Sequence, residues 1–359
     1  MAKGRLLNYE HETKFGTEVR ADLERALVGQ SEAVNYYVQL VEKYRSGLFE
    51  LGRPIGAFLE TGPTGSGKTY AAETFSESLQ PRVERSWKKN MMRIDCGEFQ
   101  HSHDIAKLVG SPPGYLGHRE TEPMLSNKRI SSLQEVADYP FAILVFDEIE
   151  KASDGLWNIL LGILDKGSLS TGANEQVDLC QTVIVMTSNA GFSNRKDDLG
   201  FLPPSILASE ETKRIGLEAA KRKFSVEFIN RLDAVIAFNV LSKPQIATIL
   251  KLELGKLQLE VFTRCTPTVL FSVTTAAQKA LLEEGYDSKY NARNIKRVIN
   301  QRLRLPMARV VSGNQVLSTE GVLIDVEDSK FTFRALPRNN GGFVLHGNES
   351  DKEDILCTL

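Results

Sequence analysis

The sequence predicts an α/β protein: a parallel sheet sandwiched by helices, followed by a smaller α+β unit. Three observations carry that expectation. Gly62-Pro63-Thr64-Gly65-Ser66-Gly67-Lys68-Thr69 fits G-x-x-x-x-G-K-[ST], the phosphate-binding loop that joins a buried strand to a helix. From Leu27 onward, short apolar runs alternate with amphipathic helical stretches, the rhythm of strand–helix–strand units. After Leu241-Ser242-Lys243-Pro244 that rhythm gives way to long helical patterns and a strand pair.

Residues 1–26 are polar and charged and read as a loose helical arm. A large domain, 27–240, follows. Its amphipathic segment 31–47 precedes the apolar run Ile55–Leu59, a buried strand ahead of the phosphate loop. Tyr70 to Phe75 begins a helix, whose N-terminal dipole favours an anion. Met91–Asp95, Phe141–Phe146 and Thr182–Thr187 are further strands, with an amphipathic helix at 153–165. Residues 191–213 form a polar loop containing Pro203-Pro204, followed by a helix over 212–229 and a last strand at Ala234–Phe238. The small domain, 241–337, holds a helix at 244–262, a strand at Pro267–Ser272, helices at 274–284 and 291–311, and strands across 322–335. Residues 338–359, rich in Asn, Gly, Asp and Glu, read as a disordered tail.

The bulk properties exclude several classes. The 359 residues are 42% hydrophobic and 25% charged, as in globular proteins. A net charge of −2 gives no general attraction to nucleic acid or anionic membrane. No apolar run is long enough to span a bilayer, and the N-terminus lacks a signal-peptide core. Cys96, Cys180, Cys265 and Cys357 are scattered without metal-site spacing, which points to reduced thiols and a cytoplasmic protein.

The loop sets the chemistry. Its glycines let backbone N–H groups face an anion, Lys68 reaches the β and γ phosphates of ATP, and the Thr69 hydroxyl holds Mg²⁺. Phe141–Phe146 runs into Asp147-Glu148. Side chains alternate along a strand, so Asp147 is assigned to the metal and Glu148 to the attacking water. Thr182–Thr187 ends in Ser188-Asn189, which places Asn189 toward the γ phosphate or the water; alone, such an ending is ordinary turn chemistry.

With these motifs in this order, the chain resembles a Clp-type AAA+ unfoldase, specifically the second ATPase module of the ClpB, ClpA and ClpC proteins. Matching blocks include Val28-Gly29-Gln30-Ser31-Glu32, Arg93-Ile94-Asp95-Cys96-Gly97-Glu98, Gly110-Ser111-Pro112-Pro113-Gly114-Tyr115-Leu116-Gly117, Phe146-Asp147-Glu148-Ile149-Glu150-Lys151, Phe228-Ile229-Asn230-Arg231 and Tyr290-Asn291-Ala292-Arg293, over about residues 20–335. The resemblance implies the AAA+ P-loop NTPase fold and a homo-oligomeric ring, usually of six. It puts Val28 and Gly29 beside the adenine, makes Arg231 an arginine finger for the neighbouring subunit, and makes Arg293 a second sensor of the γ phosphate. It makes Gly114, Tyr115, Leu116 and Gly117 a channel loop gripping a threaded polypeptide, and 168–178 a hairpin bearing a second channel loop. Leu199, Gly200 and Phe201 match a tripeptide that docks on a ClpP-like peptidase, and read equally as an apolar anchor in a long loop.

Read without the family, Arg231 is a structural ion pair with Asp233 or another acid, Arg293 a helix-surface residue and Tyr115 part of a tight turn. The match is poor between Gly117 and Phe141; residues 82–90 look inserted; and Glu60 stands where the family is usually apolar. A disaggregase without a peptidase, a nucleic-acid remodeller using the basic run at 82–93, and a slowly hydrolysing nucleotide-gated scaffold are the competing readings.

Overall fold

The computed structural model describes residue 8 and residues 11–81, 85–111, 122–135, 139–192, 209–265, 269–287, 291–339, 342–343 and 355–356. The chain divides into two compact units, Met1–Asn239 and Val240–Leu359.

In the first unit, α1 (Lys14–Ala26) and α2 (Ser31–Arg45) precede β1 (Gly56–Thr61), α3 (Lys68–Ser78) and β2 (Met91–Asp95). Then come α4 (Ile105–Val109), α5 (Asn127–Gln134), β3 (Ala142–Asp147), α6 (Asp154–Lys166), the hairpin of β4 (Ser168–Ser170) and β5 (Gln176–Asp178), and β6 (Thr182–Ser188). α7 (Ser209–Lys223), α8 (Val226–Asn230) and β7 (Ala234–Ala237) complete it. The main sheet has order β2-β3-β6-β1-β7 and every pairing in it is parallel. Parallel strands need both faces covered, and alternation supplies two apolar faces. Ile143, Val145, Val183 and Val185 pack with α1, α2 and α3, while Leu144, Phe146, Ile184 and Met186 pack with α6 and α8. All strands point one way, so the ends of β1, β3 and β6 meet at one edge of the sheet, where ligands bind in such folds.

Residues 14–26, expected as a loose helical arm, are helical but packed. Thr13 caps α1 by accepting from Gly16 N, and Val19 and Leu23 are buried in the first core. The single helix expected over 212–229 is two helices, because Ser225 Oγ accepts from Phe228 N (3.1 Å) and starts a new one.

The second unit holds α9 (Lys243–Arg264), β8 (Phe271–Thr274), α10 (Thr275–Gly285), α11 (Ala292–Ile299), α12 (Leu305–Ser312), β9 (Glu320–Glu327), β10 (Lys330–Asn339), β11 (Gly342–Phe343) and β12 (Ile355–Leu356). Its sheet has order β11-β10-β9-β8-β12. The helix expected over 291–311 is interrupted by a π-helical turn at Asn300–Arg304. Pro306 explains it: proline has no N–H for the carbonyl one turn back, and its ring crowds that carbonyl. Asp328 and Ser329, both at positive φ, make the tight turn between β9 and β10. β10 runs on to Asn339 and Ile355–Leu356 pairs antiparallel with β8, so these parts of the expected disordered tail are strands.

Candidate nucleotide site

The phosphate loop leaves β1 at the centre of the sheet and enters α3 at Lys68. Gly62 is required by close approach, since a Cβ there would lie 2.6 Å from Phe238 O. Gly67 stands at φ +104°, and the space its Cβ would take is open, so the loop presents bare backbone on that side. Lys68 is buried, and its Nζ donates to Gly62 O (2.8 Å), Pro63 O (2.9 Å) and Asn189 Oδ1 (2.8 Å). Burial lowers its pKa to about 8, against the opposing pull of Glu60, Glu150, Asp147 and Glu148. Thr64 and Gly65 form the half-buried crest and Ser66 is buried beneath it.

Asp147 ends β3. Its Oδ1 accepts from Thr69 Oγ1 (3.0 Å) and from the Thr187 hydroxyl, and its Oδ2 pairs with Arg93. Two adjoining oxygens from Thr69 and Asp147 are a donor set that suits a hard cation such as Mg²⁺.

Glu148 differs from its neighbour for a reason other than strand alternation. β3 has already ended, and Glu148 sits in the left-handed region at φ 56°, ψ 48°. A non-glycine residue there is uncommon and turns the side chain out of the strand's register. Glu148 N donates to Thr187 Oγ1 (3.0 Å), Oε1 accepts from Asn189 Nδ2 (3.3 Å), and Oε2 pairs with Lys151. Asn189 is itself aimed by its own N–H, which donates to Glu150 Oε1 (3.0 Å). Its amide thus joins Lys68 on one side to Glu148 on the other.

Beneath the loop lies a buried carboxyl. Glu60, on β1, is fully buried; Tyr37 donates to its Oε1 (2.7 Å), and its Oε2 has no hydrogen-bond partner. Burial pushes its pKa up to about 8 although the Tyr37 bond and Lys68 oppose the shift.

The remaining sequence-derived residues fall elsewhere. Val28 and Gly29 form the turn between α1 and α2, and Gly29 O accepts from Asn239 Nδ2 (3.4 Å). Arg231 caps α8 and pairs with Asp165 and Glu227. Asp233, the acid named for it from sequence, instead accepts from Ala57 N (2.7 Å). Arg293 is exposed on the first turn of α11, in the second unit. β4 and β5 pair antiparallel in the hairpin expected at 168–178. Gly114, Tyr115, Leu116 and Gly117, and Leu199, Gly200 and Phe201, lie outside the described residues.

Sequence reasoning missed Thr187, Arg93 and Lys151. Thr187 and Arg93 reach Asp147 through strand register: Phe146 is level with Met186, and Asp147 with Asp95. Lys151 lies three residues beyond Glu148, so the sequence itself held its signal once Glu148 was seen to open a helical turn.

A family model, AAA domain (Cdc48 subfamily), matches residues 53–235, just over half of the chain. A second, the C-terminal D2-small domain of ClpB protein, matches 241–324. Among curated relatives, chaperone protein ClpB of Dichelobacter nodosus is 36% identical over 311 residues, covering 87% of this chain and 34% of that protein. The chloroplastic ClpB3 of Arabidopsis thaliana is 34% identical, covering 88% and 31%. ClpC of Staphylococcus saprophyticus, an ATP-dependent Clp protease ATP-binding subunit, is 34% identical, covering 91% and 38%. The chain therefore spans about a third of the length of the curated relatives it matches. A solved structure of Hsp104 with ATPγS and FITC casein superposes with a TM-score of 0.75 at 25% identity, covering 92% of this chain and 53% of that one. Family models over both units, together with a phosphate loop, acidic strand end and polar strand end at one sheet edge, establish that the chain belongs to the Clp-type AAA+ ATPases and corresponds to their second ATPase module.

Proposed function

We propose that the chain is the motor module of a ring-forming protein unfoldase that spends ATP to draw polypeptide through a central channel. The observation carrying this reading is the continuous run of hydrogen bonds from Lys68 through Asn189 to Glu148, with Thr69 and Thr187 meeting on Asp147 beside it. Lys68 and the backbone of residues 62–69 bind the phosphates; Thr69 and Asp147 hold Mg²⁺, which offsets charge on the phosphate oxygens; Glu148 orients the attacking water, with Asn189 between it and the phosphate. Val28 and Gly29 adjoin the adenine. Arg231, at the surface, serves a neighbouring protomer, which makes turnover depend on a homo-oligomeric ring, taken as a hexamer. Arg293 reads the γ phosphate, and Tyr115, within Gly114–Gly117, grips the substrate. The names of the relatives support a polypeptide substrate: ClpB is called a chaperone, and the Hsp104 structure carries casein. Among the described residues no helix is long and apolar enough to cross a membrane, and the cytoplasm is the proposed site of action.

Two alternatives are weighed by particular residues. Delivery to a ClpP-like peptidase is favoured by Leu199-Gly200-Phe201 and by the match to ClpC, whose name places it in a protease. Nucleic-acid remodelling through the basic run near 82–93 is disfavoured: Arg85 pairs with Asp22, Lys88 lies over the Trp87 ring, and Arg93 pairs with Asp147.

The test pairs two variants. Glu148→Gln lowers ATP turnover by about 10²–10⁴, as expected on losing a general base, while keeping nucleotide binding. It then captures polypeptide in the presence of ATP. Tyr115→Ala keeps ATPase and loses unfolding of a tagged fluorescent protein. Wild-type turnover in the first variant removes the assignment of Glu148, and intact unfolding in the second removes the threading model. Degradation of the reporter when a ClpP-like peptidase is added, lost on deletion of Leu199–Phe201, decides the peptidase variant.

A further inference from the structure

Gln30 belongs to the Val28-Gly29-Gln30 block, yet neither the adenine assignment nor the hydrolysis chemistry uses its side chain. It is buried at the start of α2. A side-chain amide has two N–H donors and a carbonyl acceptor, and all are used here on main chain. Nε2 donates to Ser66 O (3.2 Å) and to Asn239 O (3.1 Å), and Oε1 accepts from Asn239 N (2.8 Å). Gln30 therefore ties Ser66, beneath the crest of the phosphate loop, to the last residue of the first unit.

The Ser66 contact matters for its direction. In a trans peptide the carbonyl of one residue and the N–H of the next point opposite ways within a rigid plane. Anchoring Ser66 O toward Gln30 turns Gly67 N–H to the opposite side of that peptide plane, and separately the position of a Gly67 Cβ is open. Gly67 stands at φ +104°, where a glycine holds little conformational preference of its own, so an external tie is needed to fix that peptide. The base of the loop leans on the same anchor, for Gly62 approaches Phe238 O, one residue before Asn239.

We propose that Gln30 is a positioning residue for the phosphate cradle: it fixes the Ser66–Gly67 peptide against the main chain of Asn239, so that Gly67 N–H faces the bound phosphate. The proposal rests on the reading of residues 62–69 as the ATP site, and ATP binding by the wild-type chain tests that reading separately.

The experiment compares wild type with Gln30→Met, which keeps length and loses every hydrogen bond. A second variant, Gln30→Glu, keeps the acceptor for Asn239 N and sets a carboxylate oxygen against the two carbonyls. The KM for Mg-ATP and the inhibition constant of inorganic tripolyphosphate are measured together with kcat and the melting temperature. The expected result is a rise of about tenfold in both constants for Gln30→Met, the effect of about one hydrogen bond, and at least as much for Gln30→Glu, with kcat at saturation and melting temperature close to wild type. Tripolyphosphate carries no base, so a loss confined to ATP assigns Gln30 to the adenine and overturns the proposal. Unchanged constants overturn it, as does a fall in kcat that follows the melting temperature.

Discussion

Two regions of the first unit hold their charges in opposite ways. At the strand-end edge, Lys68 is only 7% exposed and Asp147 8%; the lysine is held by neutral groups, two loop carbonyls and Asn189, and the aspartate by two threonine hydroxyls on one oxygen and Arg93 on the other. At Arg231 the side chain is 31% exposed, and its partners are carboxylates on open surface, Asp165 at 46% and Glu227 at 67%. Buried dipoles fixed by strand ends do not reorganise when charge arrives, which is what electrostatic stabilisation of a reaction requires. A surface pair between screened charges is worth little, about 0–1 kcal/mol, and is readily exchanged for another partner. The first arrangement suits binding within one protomer; the second suits a group that must leave its resting contacts to act on another.

The sharpest way to break this comparison is Arg231→Ala. Removal of a trans arginine lowers turnover by about 10³ or more in comparable phosphoryl-transfer sites. Because the pairs at Arg231 lie on the surface, ATP affinity and melting temperature stay near wild type. Single-turnover hydrolysis measured beside equilibrium binding checks both halves. Undiminished turnover removes the finger, and a matching loss of affinity makes Arg231 a residue of its own site.

The legible and illegible parts of the molecule divide along a physical line. Local pattern identifies what local chemistry imposes. The continuous apolar runs of β3 and β6 are what a strand buried on both faces must look like, and the glycine spacing of residues 62–69 is what an exposed backbone cradle must look like. Lys68, Thr69, Asp147 and Glu148 are readable because loop and strand end announce them. Asn189 is readable only from chain order. Thr187 and Arg93 depend on which strands lie side by side, and two threonines one residue apart in register would look alike in sequence. Gln30 reaches Asn239 across 209 positions, a distance over which no periodicity speaks. Ser225 and Pro306 are local breaks set inside longer runs of helical periodicity, which mask them.

A smaller effect sharpens the buried side of the comparison. Glu60 is the one residue of this edge that sequence marked as out of place, and burial raises its pKa from an ordinary carboxyl value of 4.5 to about 8. Below pH 4.5 the carboxyl is protonated whether the chain is folded or not, and it does not affect the pH dependence. Between pH 4.5 and 8 the folded chain keeps a proton that the unfolded chain releases, so stability from this group falls as pH rises. Glu60→Gln keeps an acceptor for Tyr37 and cannot titrate. Its melting temperature, relative to wild type, therefore rises between pH 5 and 7.5, by the equivalent of a few kcal/mol at most. Lys68, whose lowered pKa makes stability climb only above about pH 8, stays outside this window. Parallel pH curves for the two proteins would show that Glu60 is solvated in the native state.

The smallest effect expected is that of Asp165→Asn, and it tests the surface side. Asp165 pairs with Arg231 in the isolated chain, and if the arginine must meet a neighbour's phosphate, the two anions compete for one guanidinium. Removing a competitor worth about 1 kcal/mol or less shifts the protein concentration at half-maximal ATPase downward by about fivefold at most. The plateau rate stays unchanged, since Arg231 itself is intact. Thermal stability moves by less than about 1 kcal/mol, because both partners are open to solvent and screened. ATPase titrated against protein concentration at low and moderate salt reads the shift. A displacement to higher concentration would mean that Asp165 aims Arg231 outward instead of detaining it. A large drop in melting temperature would make the pair part of the fold, and the contrast between a buried, fixed site and an exchangeable surface arginine would then no longer hold.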